Sequence, residues 1–571
     1  MPFEPALLPN DYPRQFVPAQ ANVGEWTHLE ALFADLERRP VDTVEALERW
    51  LLDWSELSSA IYEERIVRYF RMTCQTDDAA LENAYLDWVE KVEPRVKPAV
   101  NHLDRKYVAS QARSQLPHEQ YAVWDQKVDN RVALFREENV PLETETAKLA
   151  QHYTKLCGAM TVDFQGREHT LPQMTHYLEE PQRALRQQAW KLVAERRLHD
   201  REELDQIYDD LIAIRHRIAR NAGFEDFRDY AFRMRERFDY TPEDCFHFHE
   251  AVEKHVVPLM RELQERRRQK LAVDVLCPWD LSVDPEGRPP LRPFETVDQL
   301  IAGCAAIFEK VDTELAEGFG RMMELRLLDL ESRKGKAPGG YQEYLAERRL
   351  PFIFMNAVGL DGDVRVLLHE SGHAFNAFAS RNLPLYAYRL DPPFEFAEVA
   401  SMSMELLGGE HLSAFYRPDE AARSKRDDLE NIVTFLPWCA TIDAFQHWIY
   451  THPAHSQAER EACWLELHRR FGGIESWEGY EPSLRSIWQR QLHLYEYPFY
   501  YIEYGIAQLG ALSVWRNSRK DWRSAVEAYK RALALGGSRP LPELFEAAGV
   551  RFDFGPDNLS RIIESLQAEL A

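Results

Sequence analysis

The sequence predicts a mainly helical, all-α protein with little β-structure. Apolar residues recur at spacings of three and four, as at Val44, Leu47, Trp50, Leu51 and Trp54, which is the pattern of an amphipathic helix. Prolines and polar clusters interrupt this pattern at intervals that fit helices of ordinary length. Because the 571 residues exceed the roughly 250–300 at which a single core stops growing, more than one packed unit is expected.

The elements follow one another in a clear order. The helical pattern runs from residue 26 to about 155 and gives way to alternation over residues 161–170, where a Gln-Gly pair predicts the turn of a short hairpin. The change of pattern predicts a domain boundary near residue 170. Helices resume over residues 181–270, and residues 350–360 are the best strand candidate in the chain. From residue 361 to the end the pattern is helical again.

Composition and charge exclude several classes of protein. Hydrophobic residues make up 45% of the chain and aromatic residues 12%, which excludes disorder throughout. The formal charge of −25 would repel phosphate backbones and anionic lipids, so no nucleic-acid partner and no membrane partner is expected. The seven cysteines include no C-x-x-C pair, and residues 1–22 lack the features of a signal peptide. Together these observations predict a cytoplasmic protein with reduced thiols.

An H-E-x-x-H motif, from His369 to His373, lies in the helical pattern of residues 363–380. Helix positions four apart differ by about 40° and about 6 Å, so both imidazoles can reach one metal ion. Glu370 is rotated by about 100° and can flank the ion without binding it, which is where a base for water activation belongs. The competing interpretation is a pair of hydrogen-bonded histidines on a core helix.

A third ligand is expected, because zinc in a hydrolase usually takes three protein ligands and keeps one position open. The apolar helical segment of residues 394–407 offers Glu395, Glu398 and Glu405. A carboxylate in such surroundings is costly to bury unless it is paired or bound to metal. All three acids are candidates on this ground, and simple exposure to solvent fits Glu395 best.

A tyrosine-rich tract follows His493 and includes Tyr497, Tyr501 and Tyr504. If Pro498 occupies the first position of a helix, the last two tyrosines share one face. Phenols and an imidazole on one wall can donate hydrogen bonds to an oxyanion. Taken alone, such a tract is more often part of a packed core.

These motifs belong to a longer series that resembles the thimet oligopeptidase and oligoendopeptidase F family of zinc metallopeptidases. The likeness is closest to the bacterial oligoendopeptidase F and Pz-peptidase branch, and it runs in the family's order through most of residues 200–505. The matching stretches are residues 218–227, 237–242, 278–280, 339–340, 351–356, 369–373, 396–398 and 493–504. Such a series is far more specific than H-E-x-x-H alone.

The resemblance implies an all-α, clam-shaped bowl with a deep substrate channel and a small β-sheet beside the active-site helix. Residues 1–170 then form an N-terminal helical region, and residues 171–571 form the catalytic metallopeptidase domain. Residues 350–360 are expected to line the channel as the edge of the sheet, where an extended peptide can add as a strand.

The resemblance also assigns roles to residues. It implies one zinc ion held by His369, His373 and Glu398, since the family's third ligand lies 25 residues after the second histidine of the motif. Glu370 is then the general base. The wall near the scissile carbonyl is implied to contain His493, Tyr497, Tyr501 and Tyr504.

The implied activity is zinc-dependent hydrolysis of internal peptide bonds in short, unstructured oligopeptides. Two alternatives remain at this stage. The first is a non-catalytic helical peptide-binding or scaffold protein whose H-E-x-x-H is vestigial. The second is an aminopeptidase on another zinc-peptidase fold, which would require a free substrate N-terminus.

Overall fold

The computed structural model describes residues 7–333, 335–337 and 339–570. Helices dominate these residues and the strands form only two small sheets, which confirms the predicted all-α class. Among the described residues, no helix combines the length and the apolar character needed to cross a bilayer.

Helices and strands are numbered separately in chain order. The helices before the metal motif are α1 (Trp26–Arg38), α2 (Val44–Cys74), α3 (Ala79–Lys91), α4 (Glu93–Ala109), α5 (His118–Leu134), α6 (Val140–Gly158), α7 (Leu171–Met174), α8 (Arg183–His199), α9 (Arg201–Asn221), α10 (Phe227–Met234), α11 (Pro242–His255), α12 (Val257–Lys270), α13 (Val297–Val311) and α14 (Thr313–Glu324). The strands are β1 (Thr161–Phe164), β2 (Arg167–Thr170), β3 (Leu328–Glu331), β4 (Tyr341–Leu345) and β5 (Leu350–Ala357).

The remaining helices include the one that carries the metal motif. They are α15 (Asp361–Ser380), α16 (Tyr386–Leu390), α17 (Phe394–Gly408), α18 (Pro418–Thr451), α19 (Gln457–Phe471), α20 (Glu481–Ser486), α21 (Leu492–Glu496), α22 (Tyr501–Ser518), α23 (Trp522–Leu533), α24 (Leu541–Ala547) and α25 (Pro556–Leu570). Short 3-10 segments lie at Gln111–Gln115, Glu137–Asn139, Thr175–Glu179, Pro278–Asp280, Gly409–Ala414 and Ile487–Arg490.

The chain falls into two compact units, each made of three segments. The first unit comprises residues 1–133, 292–425 and 510–552, and the second comprises residues 134–291, 426–509 and 553–571. The H-E-x-x-H motif belongs to the first unit, and residues 493–504 belong to the second. The domain boundary placed near residue 170 from the sequence stays a prediction.

The hairpin predicted at residues 161–170 is present in the second unit. Strands β1 and β2 pair in antiparallel register, with Phe164 opposite Arg167. Gln165 and Gly166 form the turn with φ angles of 53° and 77°. Two positive φ angles in succession are characteristic of a type I′ turn, whose twist matches that of the flanking strands.

The three-stranded sheet of the first unit has the order β3-β5-β4, with β5 parallel to β3 and antiparallel to β4. The strand predicted at residues 350–360 is therefore present as β5, but the expectation that it forms an edge is wrong. Every residue of β5 except Asn356 is buried, and such a continuous apolar run is typical of a central strand. The edge strand on that side is β4.

Strand β5 leads directly into α15, the helix predicted over residues 363–380. The Asp363 carboxylate accepts hydrogen bonds from the backbone N–H groups of Val358, Gly359 and Leu360 at 2.8–2.9 Å. Gly359 has a φ of 93°, which glycine adopts at low cost. This turn joins the sheet to the helix, and both β4 and β5 pack against α15.

Helices α15 and α17 pack closely against each other, and Gly372 makes this approach possible. An ideal Cβ on Gly372 would lie 2.6 Å from both the carbonyl oxygen of Ala400 and the Cα of Ser401. The hydroxyl of Tyr529 on α23 donates to the same Ala400 carbonyl at 2.7 Å. The backbone of α17 therefore lies against the metal-motif helix, where only glycine fits.

The substitution Gly372→Ala should push the two helices apart. Overpacking of this kind costs typically about 1–3 kcal/mol, so the midpoint of chemical denaturation should fall. The matched control is Gly320→Ala in α14, where the ideal Cβ meets no described atom within 4 Å. Because alanine is the better helix former by about 1 kcal/mol, the control should hold or raise the midpoint. Equal midpoints for the two variants would contradict the assigned role of Gly372.

Candidate metal centre

Two imidazoles and one carboxylate meet where α15 faces α17. The Nε2 atom of His369 lies 3.4 Å from Glu398 Oε2, and the Nε2 atom of His373 lies 3.8 Å from the same oxygen. One donor atom from each residue lies within 4.8 Å of the other two. The structure thus brings together the three residues that the resemblance assigns to zinc.

The donor set fits a divalent metal ion. Two imidazole nitrogens and one carboxylate oxygen form a set used by zinc hydrolases, which leave one position open. Glu398 is only 4% exposed, and the Ser401 hydroxyl donates to its Oε2 at 3.0 Å. A carboxylate buried beside two imidazole nitrogens is stabilised by a cation between them.

Glu405, another of the three candidate acids, lies on the opposite side of the His369 ring. Its Oε1 is 2.6 Å from His369 Nδ1, so the contact fixes the orientation of the ring and leaves Nε2 toward Glu398. Such a carboxylate partner is usual for a metal-binding histidine. Glu405 follows Glu398 by seven residues, or two helical turns, and this spacing is the sequence signal that the two acids share a face.

The two histidines differ in their electrostatic surroundings. Burial opposes the charged form of His369, but the hydrogen bond to Glu405 and the nearby carboxylates raise its pKa to about 10. Burial and the neighbouring His369 instead lower the pKa of His373 well below its ordinary value. The carboxylates therefore favour positive charge at the His369 end of the cluster.

Glu395 does not behave as the sequence suggested. It is only 4% exposed, so the expectation that it faces solvent is wrong. The reason is that α17 is buried on nearly every side, as the burial of Phe396, Val399 and Met404 shows. Burial alone therefore does not distinguish Glu395 from Glu398.

Glu370 lies beside the donor cluster without joining it. Glu370 is 8% exposed, and the nearby backbone of Gln342 on β4 favours the charged form of its carboxylate. Burial and the negative charges of Glu398 and Glu405 raise its pKa to about 7. A carboxyl group with a pKa near neutrality can both accept and return a proton.

In the second unit, the predicted tyrosines lie around the imidazole ring of His493. The His493 ring centroid lies 5.0 Å from that of Tyr501, 5.9 Å from Tyr504 and 6.3 Å from Tyr497. Tyr500, to which the sequence assigned no role, also contacts His493 at 5.4 Å. Burial and the positive charge of Arg235 lower the pKa of His493 to about 4, so this imidazole is neutral near pH 7.

The backbone of this tract differs from the predicted form. Pro498 does not begin a helix, because Phe499 adopts a φ of 62° and α22 begins only at Tyr501. The guanidinium of Arg235 donates to the Pro498 carbonyl at 2.8 Å, and Arg237 pairs with Glu503 at 2.9 Å. Two arginines thus hold the turn that places the tyrosines around His493.

The substitution Glu398→Ala should abolish tight metal binding, because two imidazoles alone leave the coordination incomplete. Glu395→Ala is the matched control, since both acids lie on α17 and are equally buried. Metal content after dialysis is the measurement. The choice among the acids would be wrong if Glu398→Ala kept one tightly bound ion while Glu395→Ala or Glu405→Ala lost it.

Comparison with known proteins gives two family matches. The family model described as peptidase family M3 matches residues 176–561. The model described as the peptidase M3 N-terminal domain matches residues 16–135. The first match alone covers more than half of the chain and includes every residue of the donor cluster.

Individual relatives agree with these matches. A solved structure of Pz peptidase A with an inhibitor is 30% identical, with a TM-score of 0.89 and coverage of 97% of this chain and 99% of that chain. Oligopeptidase PepF of Bacillus subtilis is 25% identical over 317 residues, which are 54% of this chain and 46% of the relative. The plasmid-encoded oligoendopeptidase F of Lactococcus lactis subsp. cremoris is 24% identical over 357 residues, which are 58% of this chain and 55% of the relative. The chain thus spans about half the length of these two curated relatives.

Proposed function

The chain belongs to peptidase family M3, and from this premise we propose that it is a zinc-dependent endopeptidase acting on internal bonds of short, unstructured peptides. The observation that carries the proposal is the convergence of His369, His373 and Glu398, with Glu370 beside them. The names of the relatives, an oligopeptidase and an oligoendopeptidase, support the substrate class.

In this proposal His369, His373 and Glu398 hold one zinc ion. A bound zinc ion supplies Lewis-acid chemistry, which polarises a carbonyl and makes water more acidic. Glu405 keeps the His369 ring in place through its contact with Nδ1. Ser401 restrains the Glu398 carboxylate in the same way.

Glu370 acts as the general base. Its carboxylate takes a proton from the attacking water as the C–O bond forms, and later returns it to the nitrogen of the leaving amine as the peptide C–N bond breaks. The raised pKa of Glu370 supports this role, because the group must release the proton as readily as it accepts it.

The edge strand β4 supports a way of orienting the peptide. A substrate in extended form can add to this edge by backbone hydrogen bonds, which is a common mode of peptide recognition. Because β4 packs against α15, the helix that carries Glu370, a peptide bound along this strand would run near the general base.

The oxyanion donors are proposed from the resemblance alone. It assigns His493 and Tyr504, with Tyr497 and Tyr501, to stabilising the negative charge that develops on the carbonyl oxygen. Neutral imidazole and phenol groups are suitable donors for this purpose.

The direct test uses a quenched fluorescent peptide with an acetylated N-terminus. We expect cleavage of an internal bond, loss of cleavage with a chelator, and recovery when zinc is added back. Cleavage only of unblocked peptides would support an aminopeptidase instead. A zinc-loaded protein that cleaves no peptide would support the non-catalytic scaffold.

The substitution Glu370→Gln should keep the fold and the metal, because glutamine is nearly isosteric and Glu370 is not a proposed ligand. Removal of the general base should lower kcat by roughly 10²–10⁴. The measurement is turnover of the blocked peptide alongside zinc content. Turnover like that of the wild type in a zinc-loaded preparation would refute the assigned role.

The substitution Tyr504→Phe removes one hydroxyl and keeps the ring. If this hydroxyl stabilises the oxyanion, kcat should fall by roughly 10²–10³ while KM changes little. Tyr495→Phe is the control, because this buried tyrosine lies in the same tract and its hydroxyl donates weakly to the Leu204 carbonyl at 3.4 Å. Equal kcat values for the two variants would assign Tyr504 to packing.

Peptide length should limit the rate, because the resemblance implies that substrates enter a deep channel. We expect cleavage of one bond to slow as unstructured residues are added on both sides. The comparison is between a short peptide and a long denatured protein that contains the same bond. Equal rates per site would indicate an open-cleft endoprotease.

A further inference from the structure

A second group of metal-binding side chains lies in the second unit, on residues that the proposed reaction does not use. Helix α11 carries Cys245 and His249, and α18 carries Asp443 and His447. In each pair the residues are four apart, so they share one face of their helix. One donor atom each from Cys245, Asp443 and His447 lies within 4.8 Å of the other two.

The group is fully enclosed. Cys245 and Asp443 are 0% exposed, and His249 and His447 are 4% exposed. The His447 ring is packed among aromatic rings, with centroid distances of 4.9 Å to Phe246 and 5.3 Å to Phe499. A carboxylate in such a place is costly unless its charge is compensated.

His249 compensates only part of this charge. Its Nε2 lies 2.9 Å from Asp443 Oδ2, which makes it a donor that holds the carboxylate in place. The other oxygen, Oδ1, has no hydrogen-bond partner among the residues that the structure describes. An orphaned carboxylate oxygen in a protein interior needs a cation or a water molecule beside it.

The His447 ring also lacks hydrogen-bond partners. Its Nε2 lies 3.3 Å from Asp443 Oδ2, yet neither ring nitrogen makes a hydrogen bond within the described part of the chain. A buried ring nitrogen without a hydrogen-bond partner can offer its lone pair to a cation. A neutral imidazole is the form that binds metals.

The thiol of Cys245 completes the donor set. Cys439 lies one turn before Asp443 on α18, but its Sγ donates to the Tyr501 carbonyl at 3.0 Å and is engaged elsewhere. Sulfur and nitrogen donors favour zinc, whereas calcium and magnesium require oxygen ligands.

We propose that Cys245, Asp443 and His447 bind a second, structural zinc ion, with His249 positioning the carboxylate and a buried water molecule as the fourth ligand. Binding replaces the thiol proton of Cys245, which leaves to solvent, by a metal–sulfur bond, and no electron is transferred. The ion would tie α11 to α18 in the interior of the second unit. It would be independent of the H-E-x-x-H cluster, whose donors are nitrogen and oxygen only.

Cobalt substitution distinguishes the two sites. Protein stripped of metal and reloaded with Co²⁺ should bind two equivalents per chain and show thiolate-to-cobalt charge-transfer absorption in the near ultraviolet. The H-E-x-x-H cluster offers no sulfur ligand, so this absorption reports on the second site alone. Glu398→Ala should lose one equivalent and keep the absorption.

Cys245→Ser should lose the other equivalent together with the absorption. Cys304→Ser is the matched control, because Cys304 is also 0% exposed and lies on α13 in the first unit; this variant should keep both. If Cys245→Ser does not fold, the spectrum of the wild-type protein still decides. If the wild-type protein binds only one equivalent of Co²⁺ and shows no thiolate-to-cobalt absorption, the proposal is overturned. The group is then a hydrogen-bond network around buried water.

Discussion

The backbone of α17 lies directly against α15 at Gly372, and the candidate metal centre depends on this close packing. Glu398 can face both imidazoles of α15 only because no side chain separates the two helices at that level. The surrounding elements hold this arrangement in place. Tyr529 bonds to the backbone of α17, and Asp363 fixes the start of α15 after the sheet. A rigid pair of helices of this kind can hold metal ligands within the narrow tolerances that catalysis requires.

Burial of several carboxylates near one another gives the centre its electrostatic character. Glu370, Glu398 and Glu405 lie close enough to raise one another's energy when ionised, as the raised pKa of Glu370 indicates. Charge of one sign concentrated in the interior is unfavourable unless a cation offsets it. The same surroundings would attract a divalent ion and tune the proposed general base. In the proposed mechanism, metal binding and proton transfer therefore share one physical origin.

The sequence predicted most of the helical fold because its apolar periodicity is local. The metal-motif helix, the hairpin at Gln165 and Gly166 and the strand at residues 350–357 were all found from short-range patterns. Strand order was not predictable in this way. Whether β5 is central or at an edge depends on its pairing with β3 and β4, which no local pattern records.

The candidate site shows the same division between local and long-range information. The spacing of His369 and His373 indicated a shared helix face, and the resemblance selected Glu398. The contact of Glu405 with His369 Nδ1 joins residues 36 positions apart and needed the packing of α15 on α17. The late start of α22 depends on the left-handed backbone of Phe499. Arg235 and Arg237 stabilise this turn by donating hydrogen bonds to the carbonyl groups of Pro498 and Phe499. The second group was missed because its residues on α11 and α18 are far apart in the chain, with Cys245 lying 202 residues before His447.

The most direct test of the account is anomalous X-ray scattering at the zinc absorption edge from crystals of the active protein. The proposed metal centre predicts a peak in the first unit bounded by His369 Nε2, His373 Nε2 and the Glu398 carboxylate, with Glu370 beside it and Glu405 on Nδ1 of His369. An active, zinc-loaded crystal with no peak there, or with a peak bound by Glu405 in place of Glu398, would contradict it.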